Sequence, residues 1–99
     1  MSKQLAFKKV KETHFKTLEQ YVPIVDRVHG GNHPEFHEVR KLFEMIKMKT
    51  KEAAESPDLN EEFARLREVT HNYTVPSDVC ESYEAVYNML AEVDKAYQA

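Results

Sequence analysis

The sequence predicts an all-α fold, an up-down-up-down four-helix bundle forming one domain over residues 1–99. Three observations predict it. Apolar residues recur at spacings of three and four along four segments, the period of a helix with one buried face. No segment alternates apolar and polar residues as a half-buried strand does. Short stretches rich in Gly, Asn, Pro and Ser separate the segments, and connections that short make neighbouring helices antiparallel.

In the first helix Phe7, Val10, His14, Leu18, Tyr21, Val25 and Val28 fall on one stripe. Pro23 lies inside it, lacks a backbone donor and crowds the carbonyl four residues back, so a kink or break is expected near Glu19–Val22. Gly30 is expected to end the helix as its left-handed residue. Asn32 then caps the second helix, with Pro34 in its first turn and Glu35 and Glu38 at the positive end of its dipole. Phe36, Val39, Phe43 and Ile46 form the second stripe, widened by Leu42 and Met45, and Lys49–Glu55 continues the helix with little to bury. Ser56-Pro57 reads as the cap and first residue of a short third helix whose inward face is Leu59, Phe63, Leu66 and Val69. Residues 70–74 form a loop, and Pro76-Ser77-Asp78 opens the last helix. There the spacing is cleanest: Val79, Tyr83, Val86, Leu90, Val93 and Tyr97.

Composition excludes several classes of function. A formal charge of −3 disfavours nucleic acid as a partner, since binding a phosphate backbone calls for a basic surface. Lysines crowd the first helix and carboxylates the last, which reads as adjacent solvated faces with mild mutual attraction. No apolar run approaches the roughly 18 residues of a membrane span, and Met1-Ser2-Lys3-Gln4 has no apolar signal core. The single Cys80 cannot form an internal disulfide. A cytoplasmic protein is expected.

The chain has no Ser/His/Asp order, no phosphate-cradling glycine loop and no isolated pair of inward carboxylates, so no enzymatic activity is expected. His29, His33 and His37 are spaced four apart, and His33 and His37 share a helical face as some zinc ligands do. They are the candidate metal ligands, with Glu35 or Glu38 as oxygen donors. The alternative is structural, with His29 at a helix C-terminus and His33 and His37 at the surface. His14 is expected at the core edge, hydrogen-bonded to a neighbour, and His71 in solvent. Cys80 is placed in the first turn of the last helix, where the dipole favours the thiolate while Asp78 and Glu81 oppose it; a partly buried packing role is expected. Tyr87 and Met89 lie off the seam of their helix and, with Phe7 and Val10, are the residues offered for association. A homodimer, or another protein partner, is expected.

Two blocks carry a family resemblance. His29-Gly30-Gly31-Asn32-His33-Pro34-Glu35 resembles the His-Gly-x-Asn-His-Pro-Glu motif of the RIC group, the iron–sulfur-cluster repair di-iron proteins with a hemerythrin-like bundle. Leu66–Thr70 with Tyr73-Thr74-Val75-Pro76-Ser77-Asp78-Val79-Cys80 and Tyr83 is similar to that group's Leu-Thr…Tyr-x-x-Pro-x-Asp-Ala-Cys…Tyr segment. With Phe15–His29 the resemblance runs over residues 15–99. It implies a hemerythrin-like fold and a link to cluster repair and stress response. It also implies a di-iron site, yet of its ligands only His29 has a match. The second-helix histidine would fall near Ala53 and the third-helix one near Glu55–Leu59, where none stands, and the last pair would follow Ala99. The expectation is therefore a small RIC-like binding or regulatory protein without an intact di-iron site and without a cofactor. The alternative is a residual iron or zinc protein using His29 with nearby histidines or a site completed across a dimer.

Overall fold

A computed structural model describes residues 3–52 and 58–98. They form four helices, α1 Lys3–His29, α2 Glu35–Glu52, α3 Asn60–Val69 and α4 Glu81–Gln98, with no strand among the described residues. The fold is an all-α four-helix bundle. At about 1.5 Å per residue, the 27 residues of α1 span the 39 Å length of the molecule. α1 packs most extensively on α4 and also meets α2, which in turn carries α3.

α1 does not break at Pro23. The proline forfeits one backbone hydrogen bond, but Leu18, Val22 and Val25 on either side of it are at most 1% exposed and hold both halves against the core. The apolar register also differs from the predicted stripe. Val22 is buried and Val28 is 63% exposed. Steps of four, three and four from Leu18 reach His29 only about 20° off the starting direction, whereas three, four and three reach Val28 about 80° away. The face that continues into the bundle therefore ends on His29.

Gly30 is not left-handed, since no glycine has a positive φ. The chain leaves α1 by a tight turn. The Gly30 amide donates to Asp26 O at 2.8 Å, and those of Asn32 and His33 donate to His29 O at 3.1 and 2.8 Å. Glycine is required by space: a Cβ there would strike the Asp26 carbonyl oxygen and stand 2.6 Å from His37 Cε1. Asn32 lies in this turn and does not cap α2. The helix starts at Glu35, entered through bonds from the Phe36 amide to His33 O (3.0 Å) and the His37 amide to Pro34 O (3.1 Å). Both orphan donors find carbonyls of the turn, so no side-chain cap is needed for them.

The predicted α2 face is the observed one: Phe36, Val39, Leu42, Phe43 and Ile46 are buried and Met45 is half-buried. The predicted cap and proline at Ser56-Pro57 fall outside the described residues, and α3 begins at Asn60. The buried Leu59 amide before it donates to Tyr97 Oη at 2.9 Å, tying the start of α3 to the end of α4. Leu59, Phe63 and Leu66 face the core and Val69 packs at its edge.

Between α3 and α4 the chain takes three consecutive left-handed residues, His71 (φ 51°), Asn72 (φ 58°) and Tyr73 (φ 61°). Such conformations are costly for side chains other than glycine and asparagine. Local bonds hold them. Asn72 N–H donates to Arg67 O (2.8 Å), Tyr73 N–H to Thr70 Oγ1 (2.8 Å) and Thr74 N–H to Thr70 O (3.0 Å). The Tyr73 hydroxyl reaches Asp94 at 2.7 Å, which anchors the turn on α4. α4 begins at Glu81, later than Pro76-Ser77-Asp78, and its predicted seam of Tyr83, Val86, Leu90, Val93 and Tyr97 is buried, with Val79 half-buried before it.

Candidate functional site

The junction between the α1–α2 turn and the segment entering α4 gathers the sequence's candidate residues. His29, the last residue of α1, places Nε2 3.1 Å from Cys80 Sγ. Its ring stands edge-on to Tyr83, with centroids 5.5 Å apart. His33 in the turn contacts the same tyrosine ring at 5.5 Å and uses both nitrogens on carboxylates: Nδ1 lies 2.9 Å from Glu35 Oε1, and Nε2 lies 3.0 and 3.2 Å from the Asp78 oxygens. His37 faces away from both, with Nδ1 2.5 Å from Asp26 Oδ1, while Arg40 reaches Asp26 Oδ2 at 3.2 Å.

Below this surface layer the bundle is filled. Phe36, Tyr83 and Tyr87 are at most 1% exposed, and the two tyrosine hydroxyls bond to each other at 3.0 Å. Burial raises both phenols above their ordinary pKa, and for Tyr83 the bond to Tyr87 adds to it. Tyr87 is therefore core. Phe7 is also buried, and Val10 and Met89 pack against the core, so the four residues offered for association are used within the chain.

The three predicted ligand histidines have no polar partner in common: His29 meets Cys80, His33 meets Glu35 and Asp78, and His37 meets Asp26. His29 and His33 share a tyrosine ring, and His37 stands apart on Asp26. Among the described residues no group of three or more His, Cys, Asp or Glu side chains is placed to hold a metal ion. The buried carboxylates among the described residues stand beside basic groups, although one oxygen of Asp26 and one of Glu62 make no hydrogen bond. Asp26 meets His37 and Arg40, Glu62 meets Lys49 Nζ at 2.7 Å, and Asp94 meets Arg67 Nε at 3.3 Å along with the Tyr73 hydroxyl. These residues do not fit the di-iron group that the resemblance implies. Positions 53 and 55–57, where two of its ligands would fall, lie outside the described residues.

Cys80 precedes α4 and is exposed, not partly buried. Its carbonyl accepts the Glu84 amide at 3.2 Å, which makes it the residue that starts the helix. Packing is carried by Val79 beside it, so the thiol is left beside His29. The sequence reading missed this pair, and it missed the His33–Asp78 contact as well. Both join residues more than forty positions apart, and neither spacing nor period encodes them. His14 stands as expected at the core edge, bonded to Glu92 on α4, and His71 is in solvent.

No family model, curated protein or solved structure matches the chain. No helix among the described residues is long and apolar enough to cross a membrane.

The close quarters at Gly30 yield a direct expectation. Gly30→Ala should cost about 1–3 kcal/mol, the usual range for forcing an extra carbon into a packed site, because the backbone oxygen of Asp26 cannot move without opening the last turn of α1. Urea denaturation checks it, and an unchanged midpoint would mean that the turn relaxes freely.

Proposed function

We propose that the chain is a small cytoplasmic binding module of the RIC-like, hemerythrin-like type, without catalytic activity and without a di-iron centre. Its link to iron–sulfur-cluster repair and stress response rests on the resemblance of the two sequence blocks. One observation carries the reading. The blocks bearing the resemblance, 29–36 and 66–83, meet at one end of the bundle, yet the space between them is filled by Phe36, Tyr83 and Tyr87. An interior closed by three aromatic rings supports a protein that works through its surface. Among the described residues the large apolar side chains left in solvent are Ile24 and Val28, one turn apart on α1, and Met48 on α2. A protein partner, or a second copy of the chain, would gain by covering these.

Metal analysis of untagged protein tests the proposal. Well under one iron per chain is expected, with no absorption from an oxo-bridged iron pair. Two irons per chain, lost on His29→Ala, would overturn it in favour of a residual metalloprotein.

A further inference from the structure

We propose that His33 is a proton-dependent clasp that closes the α1–α2 turn onto the segment leading into α4. A neutral imidazole carries one N–H and can donate one hydrogen bond, whereas the imidazolium donates two. His33 faces a carboxylate with each nitrogen, Glu35 at 2.9 Å and Asp78 at 3.0 Å, so the arrangement is fully bonded only in the charged form. Each element packed on it is accounted for. α2 supplies Glu35, the segment before α4 supplies Asp78, α4 supplies the buried Tyr83 ring, and α1 supplies His29 across that ring. No lysine or arginine among the described residues pairs with Glu35 or Asp78 and competes for the role. Burial opposes the charge on His33, but the hydrogen bonds and charges of Glu35 and Asp78 outweigh it and hold the pKa above 6.5.

The sign follows from linkage. A histidine whose folded pKa exceeds its unfolded value contributes stability that is complete below the unfolded value and is lost as pH rises through the folded one. Above that point one carboxylate contact has no donor. The uncharged ring attracts neither carboxylate and has one N–H to share between them, which weakens the His33–Asp78 tether and leaves more of the hold on residues 77–80 to the Cys80–His29 pair. Deprotonation should therefore loosen this entry segment while Val75 and Val79, half-buried against the core, keep α4 docked. The clasp is a local, reversible device that acts near neutral pH, where histidine titrates.

Titration of the histidine ring protons by NMR, with amide exchange of residues 77–80 corrected for intrinsic base catalysis, tests it. His33 should titrate above 6.5 in the intact chain, and Asp78→Asn and Glu35→Gln should each lower that midpoint. Both replace exposed or half-exposed carboxylates by isosteres, so the bundle should fold. Opening of residues 77–80 should increase through the same pH range and become independent of pH in His33→Gln. His14–Glu92 and His37–Asp26 are retained in every variant, which isolates the His33 contribution. A midpoint at or below 6.5, a midpoint unmoved by Asp78→Asn, or the same opening profile in His33→Gln would overturn the proposal.

Discussion

Phe36→Ala is expected to be the most damaging single substitution, at about 3–5 kcal/mol, the usual cost of truncating a buried aromatic residue. Phe36 is 0% exposed in the first turn of α2. Its ring lies 5.0 Å from that of Tyr83 and stacks on Tyr87 at 6.2 Å with the planes 4° apart. Removing it leaves a cavity lined by two tyrosines whose hydroxyls are bonded to each other. They cannot turn to fill the space without breaking that bond, so little collapse is available to soften the loss. The total stability of a chain of this size is roughly 5–15 kcal/mol, so a large part of it would go. Urea unfolding followed by circular dichroism reads the effect directly. A loss below about 1 kcal/mol would place the ring at a site that repacks easily, contrary to its burial.

The parts of the fold that were legible in the sequence are those set by one face of one helix. The α4 seam and the α2 stripe follow from a period of 3.6 and need no knowledge of a neighbour. α1 was harder to read because its two candidate stripes, through Val28 or through His29, differ by one residue in ten, and only the docked helices choose between them. Pro23 was overestimated for a related reason. A break is a local preference, and burial on both sides of the proline outweighs it. Gly30 was identified as special for the wrong cause, since its need is close approach to His37 and not a left-handed backbone. The site was legible only in part. His29 ends α1 as expected, while His33 lies in the turn and not on α2 beside His37; what the two touch, Cys80 and Asp78, depends on the left-handed turn at 71–73, and that turn lacks glycine, the residue that would have announced it. Three histidines at regular spacing suggested convergence. The turn at Gly30 and Gly31 instead sends His37 to Asp26.

Leu90→Ala tests the other half of the bundle and is expected to cost about 2–5 kcal/mol. Leu90 is 1% exposed, midway along α4, the helix that packs most extensively on α1. Its loss should weaken that seam one turn beyond Tyr87, so the deficit should add to that of Phe36→Ala only to the extent that the two sites share no partners. Alanine is the better helix former, which returns only a few tenths of a kcal/mol and cannot mask the cavity. Val28→Ala serves as the control. That side chain is 63% exposed on α1, and its truncation should change stability by no more than about 0.5 kcal/mol. A melting temperature unmoved by Leu90→Ala would remove α4 from the core. A large loss from Val28→Ala would instead show that this face of α1 is covered in solution, and Ile24, one turn earlier on the same face, would be the next residue to test.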